Sequence, residues 1–523
     1  MSQNISSPDS SFYVPDALKF YVNRLSFSKN RVRLQALSSQ TASASGQIIV
    51  RLPSNTMLNM ASLTMTGSVR ASISAGAASQ GVALPTNLDY SLIESLSLIS
   101  NGGIISQPFL NYKLIANVLN DVYGGDEKIN CRNALQGSFP SPLIDYSALA
   151  TAASTNQAYV PFSINSWISP TQSMSPSYIN TNLLGDLELR IILTDTSILM
   201  SGNATNGEEI VGLQGRCNYD IKDINFYIET ASVQNTILDQ AIESKLKSGE
   251  PILIPFENVF SFQQTNAGAS FNQRFSVSSQ SINKVIAVTQ LQADVINDGS
   301  QKKWFNGVPQ ALRRNHNGAT QCQFSINNQY SPNYMIDSGL NNAFDYSSAH
   351  LTPGTPPALP YIFTAANGGK NYQQSSALVE TVAALDINDY DYDTTHHKLT
   401  TTTQMPFEFL GGGIFTAAGG AVNNAAYKQP PATILQTAKA YWTPYVYKSG
   451  IETFLHEKYV VATSFDLACD HSRLISGINT LGSNSQMFYN VVGGAGDASV
   501  STIFCLCTST IQVFAGAQLK IIQ

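Results

Sequence analysis

Charge is scarce in this chain. Charged residues fill 12% of its 523 positions, about half the roughly 25% of an average globular protein. The polar surface therefore comes from Ser, Thr, Asn and Gln, punctuated by 35 Gly and 22 Pro. A formal net charge of −6 removes any global case for nucleic-acid binding. Cysteine is sparse too: Cys131, Cys217, Cys322, Cys469, Cys505 and Cys507 are scattered, and none forms a CxxC pair. That argues against a disulfide scaffold, and buried free thiols in a reducing compartment are expected. No window approaches about 18 uninterrupted apolar residues, so no membrane span is expected. The stretch "MSQNISSPDSSF" has no basic run leading into an apolar one, so no secretory leader is expected. A GxSxG elbow, a P-loop and a dinucleotide fingerprint are also missing.

What the chain does have is material for a core. Hydrophobic residues make up 43%, with 24 Phe and 23 Tyr, which excludes a disordered composition. The length suggests two domains of roughly 200–250 residues. In "LNMASLTMTGSVRASIS", Leu63, Met65, Gly67 and Val69 share one face of a strand, and the alternation recurs at Leu187, Leu189, Ile191 and Leu193. Asn101-Gly102 marks a hairpin. Helical spacing occurs at Leu110, Leu114, Val118 and Val122, and again near 234–248, where Gly249 closes the run. Residues 350–450 resemble one long loop insertion. The runs around Asn111-Tyr112 and Asn333-Tyr334 repeat the same order of strand, Asn-rich turn and helix. Two copies of one β-sandwich plan would account for the length. The expected organisation is a basic arm at 1–40, a first module at 41–265 and a second at 266–523.

The arm carries Lys19, Arg24, Lys29, Arg31 and Arg33 among aromatics. It could reach a polyanion or an anionic lipid surface, or pack along a neighbouring subunit.

Residues that look chemical do not combine into a site. "SFDLACDHSRLISGINT" groups Asp466, Cys469, Asp470, His471, Ser472 and Arg473. Adjacent residues on extended chain point to opposite faces, so Asp470, His471 and Ser472 cannot converge as a relay. Asp386, Asp389, Asp391 and Asp393 with His396 and His397 could hold a hard cation, but the EF-hand pattern fails, and an exposed acidic loop is the plainer account. Gly411–Gly413 and Gly419-Gly420 are turn or loop glycines. Arg313-Arg314 with His316 is expected on a solvated surface, and Trp167, Trp304 and Trp442 are too scattered for a stacking platform. No catalytic, cofactor or metal residues are assigned, and no enzyme is expected.

Three stretches carry a family resemblance: "DINFYIETASVQNTILDQAIESKLKSGEPILIPFENVFSFQQ", "CQFSINNQYSPNYMID", and "SFDLACDHSRLISGINT" continued to "QMFYNVV". In order and spacing the chain resembles the double jelly-roll major capsid proteins of tailless icosahedral DNA viruses, in the virophage, Polinton-like and adenovirus-like lineage. The resemblance implies an all-β fold of two tandem eight-stranded jelly-roll sandwiches, with short helices and long loop insertions. It implies homotrimeric, pseudo-hexameric capsomers tiling a shell, assembled inside a host cell and located in the virion. Its implied partners are neighbouring capsomers, penton and minor capsid proteins, and an internal membrane or genome reached by the arm. A minor or vertex capsid protein and a carbohydrate-binding β-sandwich stay open as alternatives. Ser476-Gly477 would then be a corner between two strands.

Overall fold

The computed structural model describes residues 27–73, 80–85, 88–101, 103–106, 108, 110–122, 159–168, 171, 173–174, 178–203, 217–233, 236–295, 310–327, 329–338, 376–385, 458–466, 477–481, 485–493, 496–516 and 518–522. Strong alternation produces long strands. Beside four short strands at Ala42–Ser43, Gln80–Ala83, Tyr178–Asn180 and Met200–Asn203, eight strands build the first sandwich: β1 (Phe27–Gln35), β2 (Gln47–Arg51), β3 (Met57–Ile73), β4 (Ile93–Ser100), β5 (Gly103–Ser106), β6 (Val160–Ile164), β7 (Leu187–Leu193) and β8 (Cys217–Val233). They pair antiparallel into two sheets, β1-β8-β3-β6 and β2-β7-β4-β5.

The next eight are β9 (Ile252–Asn266), β10 (Phe271–Phe275), β11 (Ile282–Leu291), β12 (Ala319–Ile326), β13 (Gln329–Asp337), β14 (Val461–Ser464), β15 (Met487–Gly493) and β16 (Ser499–Phe514). Their sheets are β9-β16-β11-β14 and β10-β15-β12-β13. Raising every label of the first two sheets by eight gives the second two. Such an order, in which sequential strands alternate between facing sheets, is the jelly roll. A last strand, β17 (Gln518–Ile522), takes the edge of β16 at Thr510–Phe514 that β11 leaves free.

Each sandwich closes over residues that alternate inward. In β3 the inward set is Leu58 and Met60, then Leu63, Met65, Val69 and Ala71. In β8 it is Tyr219 and Ile221, then Ile224, Phe226 and Ile228. Both sets change parity partway along. The β8 change is a bulge: Lys222 pairs with Ser68 but Asn225 with Thr66, and Asp223 takes the spare position at φ 58°. Without the bulge, half of β8 would turn its apolar residues to the outside. Facing sheets are tied across the core. Tyr219 donates its hydroxyl to the Thr194 carbonyl in the first sandwich, and the Phe262 and Phe275 rings lie 5.9 Å apart in the second.

The three longest helices among the described residues are α1 (Tyr112–Val122), α2 (Thr236–Lys247) and α3 (Ser376–Ala384). Leu114 and Val118 bury the expected stripe of α1, whereas Leu110 precedes the helix and is exposed. α2 joins the sandwiches, and Gly249 at φ 84° supplies the left-handed residue after it.

The structure moves two expected boundaries. Residues 27–35 are not arm: β1 pairs with β8 along its whole length, from Phe27↔Val233 to Gln35↔Asn225. Its signal was weak because the inward residues Val32 and Leu34 are only half-buried, so the basic outward residues dominate the composition. Residues 252–265 belong to the second sandwich, where β9 pairs with β16 from Ile252↔Val513 to Asn266↔Ser499.

Candidate interaction face

The outer side of the β1-β8-β3-β6 sheet carries two of the first sandwich's ion pairs, each with a tyrosine on its carboxylate. β1 contributes Lys29, Arg31 and Arg33, which alternate outward. Lys29 Nζ lies 2.9 Å from Glu229 Oε2 on β8. Tyr178 donates its hydroxyl to the same carboxylate, and Asn59 Nδ2 approaches it at 3.3 Å. The Tyr178 hydrogen bond and then Lys29 hold the Glu229 carboxyl below its ordinary range, while the bond to Glu229 raises the Lys29 amine.

Further along, Arg70 forks onto Asp220, with Nε 3.2 Å from Oδ1 and Nη2 3.3 Å from Oδ2. Tyr159 also donates to Asp220, and its ring carries Arg70 at 4.5 Å and Lys222 at 3.9 Å. Both carboxylates are thus consumed within the face. Arg31 and Arg33 are not matched in this way: Arg31 Nη2 donates to Thr64 Oγ1 at 3.1 Å and its guanidinium stands 5.7 Å from the Tyr227 ring, while Arg33 Nε donates to Asn225 Oδ1 at 2.9 Å. Among the described residues neither guanidinium meets a carboxylate. Of the five basic positions expected in an arm, the structure thus sets Lys29, Arg31 and Arg33 on a sheet face. Lys19 and Arg24 lie outside the described residues.

The second sandwich holds a buried polar cluster that sequence reasoning placed at the surface. Arg314 is 1% and His316 6% exposed, and the His316 ring meets Tyr459 edge-on at 6.2 Å. Tyr459 shares a 2.8 Å hydrogen bond with Ser338. The surface expectation for Arg314 and His316 is therefore corrected. They sit where the chain returns beside β14, with Arg314 bridging to Lys458, and a lone basic pair gives no sign of that long-range pairing. Nearby, burial pushes the Cys322 thiol up to about 12 and the Tyr459 and Tyr489 phenols well above their ordinary value. Groups held protonated in this way bond structurally and are poor nucleophiles at neutral pH. Cys217, Cys322, Cys505 and Cys507 are buried thiols in no disulfide. Trp167 is buried as well, donating its indole N–H to the Leu63 carbonyl at 2.9 Å.

Of the polar stretch from 464 to 480, Asp466 is described, while Cys469, Asp470, His471, Ser472 and Arg473 lie outside the described residues. Gly477 sits against Ser281 and Ile282, accepting no room for a Cβ, and Ile478 bridges back to Ile282. Ser476, the other residue of the expected corner, lies outside the described residues. The acidic positions from Asp386 to His397 and the glycine runs at 411–420 are outside the described residues. Among the described residues no three His, Cys, Asp or Glu side chains group as metal ligands.

Two jelly rolls of identical strand order make this a double jelly-roll chain. No family model and no curated protein matches it. Among solved structures it is similar to the PBCV-1 VP54 protein fitted into a reconstruction of the virophage Sputnik, at 9% identity and TM-score 0.48, covering 95% of this chain and 97% of that one. It is similar to a chain of the Sputnik virophage itself at 12% identity and TM-score 0.47, covering 95% and 88%. It is also similar to the mavirus major capsid protein at 11% identity and TM-score 0.40, covering 94% and 89%.

Proposed function

We propose that this chain is a major capsid protein, three copies of which form a pseudo-hexagonal tile of an icosahedral virion. The observation that carries the reading is the repeated strand order. Two like-built sandwiches, taken here as 27–233 and 252–522, give six equivalent lobes when three chains associate about a three-fold axis. A six-lobed tile packs in a hexagonal lattice although only three chains build it. Closed sandwiches suit this role because they leave few free sheet edges for uncontrolled pairing. The low charge of the surface suits it too, since Ser, Thr, Asn and Gln desolvate against neighbours at less cost than unpaired ions. The protein's work is then to bind its own kind, and the protonated, buried thiols and phenols serve packing. A vertex protein would need one jelly roll, and two are present.

The partners on this reading are other copies of the chain, then penton and minor capsid proteins, with residues preceding β1 directed to genome or membrane. Native mass measurement of the purified chain tests the proposal. The expected species is a trimer of three times 56.4 kDa that forms hexagonally packed arrays on concentration. A well-behaved monomer at micromolar concentration would overturn it.

A further inference from the structure

The internal repeat allows one face of the molecule to be compared with its own counterpart. On β16 the odd-numbered residues look across the second sandwich, as the hydrogen bond from Ser501 to Gln273 on the opposite sheet demonstrates. Their outward neighbours Val500, Thr502, Phe504 and Leu506 are nevertheless buried, so that stretch of the outer side is covered, while Thr508, Thr510, Gln512 and Phe514 beyond it are partly open. On β8, the equivalent strand of the first sandwich, the outward residues Asp220, Lys222, Asn225, Tyr227 and Glu229 are all partly open to solvent. One of two equivalent faces is therefore closed over half of its central strand, and the other is open along the whole of it.

From this we infer that the outer face of the β1-β8-β3-β6 sheet is a contact face for a second copy of this chain, with Arg31 and Arg33 receiving carboxylates of that copy. Three features select a second copy as the occupant. The first is size: β1, β8, β3 and β6 run 9, 17, 17 and 5 residues, and at ~3.3 Å per residue and ~4.8 Å per strand the face covers roughly 760 Å². A stable protein interface needs about 800 Å² from each partner. The second is composition. The face presents Tyr159, Tyr178, Tyr227 and arginine, the residue types enriched where protein meets protein. The third is charge. Glu229 and Asp220 are already engaged by Lys29 and Arg70, which among the described residues leaves the guanidinium forks of Arg31 and Arg33 without a carboxylate. The whole chain is acidic at −6, so the surface beyond this face is more acidic still and complements it. The same net charge opposes a nucleic acid as occupant.

The inference rests on the capsid reading only in taking self-association as the chain's task, and its test separates the two. The full-length variant Arg31→Lys/Arg33→Lys places amines where the guanidinium groups stood. Isotopically light and heavy samples are mixed, and a carbodiimide joins amines to carboxylates in contact. The expected products are light–heavy linked peptides joining residues 27–35 to an acidic peptide, with the Lys29–Glu229 link as the same-chain reference. Absence of light–heavy links from β1 in a self-associated sample overturns the inference. In parallel, Arg31→Glu/Arg33→Glu should weaken self-association at least tenfold, and Arg31→Gln/Arg33→Gln serves if the reversal fails to fold. Trimers indifferent to these changes sink this inference and leave the capsid reading standing. Association lost with the arginines, but with no three-fold particle in the unaltered chain, does the reverse. Loss of co-purifying nucleic acid with unchanged association identifies a polyanion as the occupant and also overturns it.

Discussion

Ser173 accepts the backbone N–H of Glu257 at 2.9 Å and donates its hydroxyl to the Glu257 carbonyl at 3.5 Å. This pair ties the chain between β6 and β7 to the first strand of the other sandwich, so the junction between the two modules is anchored at Glu257.

The Glu257 carboxyl is pushed up to about 7, first by burial and then by Asp466, with Lys284 pulling the other way. A carboxyl raised in the folded state favours the native protein below its unfolded value near 4.5, and this advantage is lost as pH rises through about 7. Unfolding free energy should therefore fall between pH 5 and pH 7.5 by an amount on the order of 1–3 kcal/mol, given the group's partial exposure, and thermal midpoints should fall with it. Glu257→Gln should flatten that slope and melt higher than wild type at pH 8. An unchanged slope in the variant would remove Glu257 as its source.

A Cβ at Gly477 would run into the Ile282 carbonyl and the Ser281 hydroxyl, and backbone cannot yield as a flexible side chain can. Gly477→Ala should cost more than about 3 kcal/mol. Gly268→Ala, where the nearest atom is 3.9 Å away, is the reference substitution. Equal melting temperatures for the two would contradict the corner.

Truncation distinguishes strand from arm. Removing residues 1–26 should leave soluble protein with an unchanged melting temperature. Removing residues 1–37 deletes β1 and strips the Phe27–Gln35 partners from β8, leaving a raw edge that invites aggregation. Comparable solubility of the two truncations would show that β1 is dispensable.

Four of the six cysteines are buried thiols in no disulfide. Burial raises the Cys322 and Cys507 thiols to about 12 and Cys505 well above its ordinary value. A disulfide reagent at pH 8 should thus titrate no more than two thiols quickly in native protein and all six in denaturant. Fast reaction of a third would mean that a core strand opens readily.

How much of this could be read in advance depended on the strength of local patterns. Leu63, Met65 and Val69 and the run from Leu187 to Leu193 alternate cleanly, and all of them are buried. Asn101 adopts φ 46° between β4 and β5, as its hairpin signal required. The duplicated architecture was legible because the order of elements survives where residue identity does not. β1 was missed because its outward Lys29, Arg31 and Arg33 outweigh an inward face that is only half-buried. The parity change at Asp223 was invisible, since one spare residue leaves no mark in composition and is defined only by its partner strand. The interaction face was illegible for the same reason. Arg31 meets Thr64, and Arg70 meets Asp220, only after strands far apart in the chain pair.

The most direct test of the central claim is single-particle cryo-electron microscopy of the purified full chain. The account predicts a particle with strict three-fold symmetry and six upright lobes, each chain contributing two sandwiches side by side. A two-lobed particle containing a single copy would contradict it.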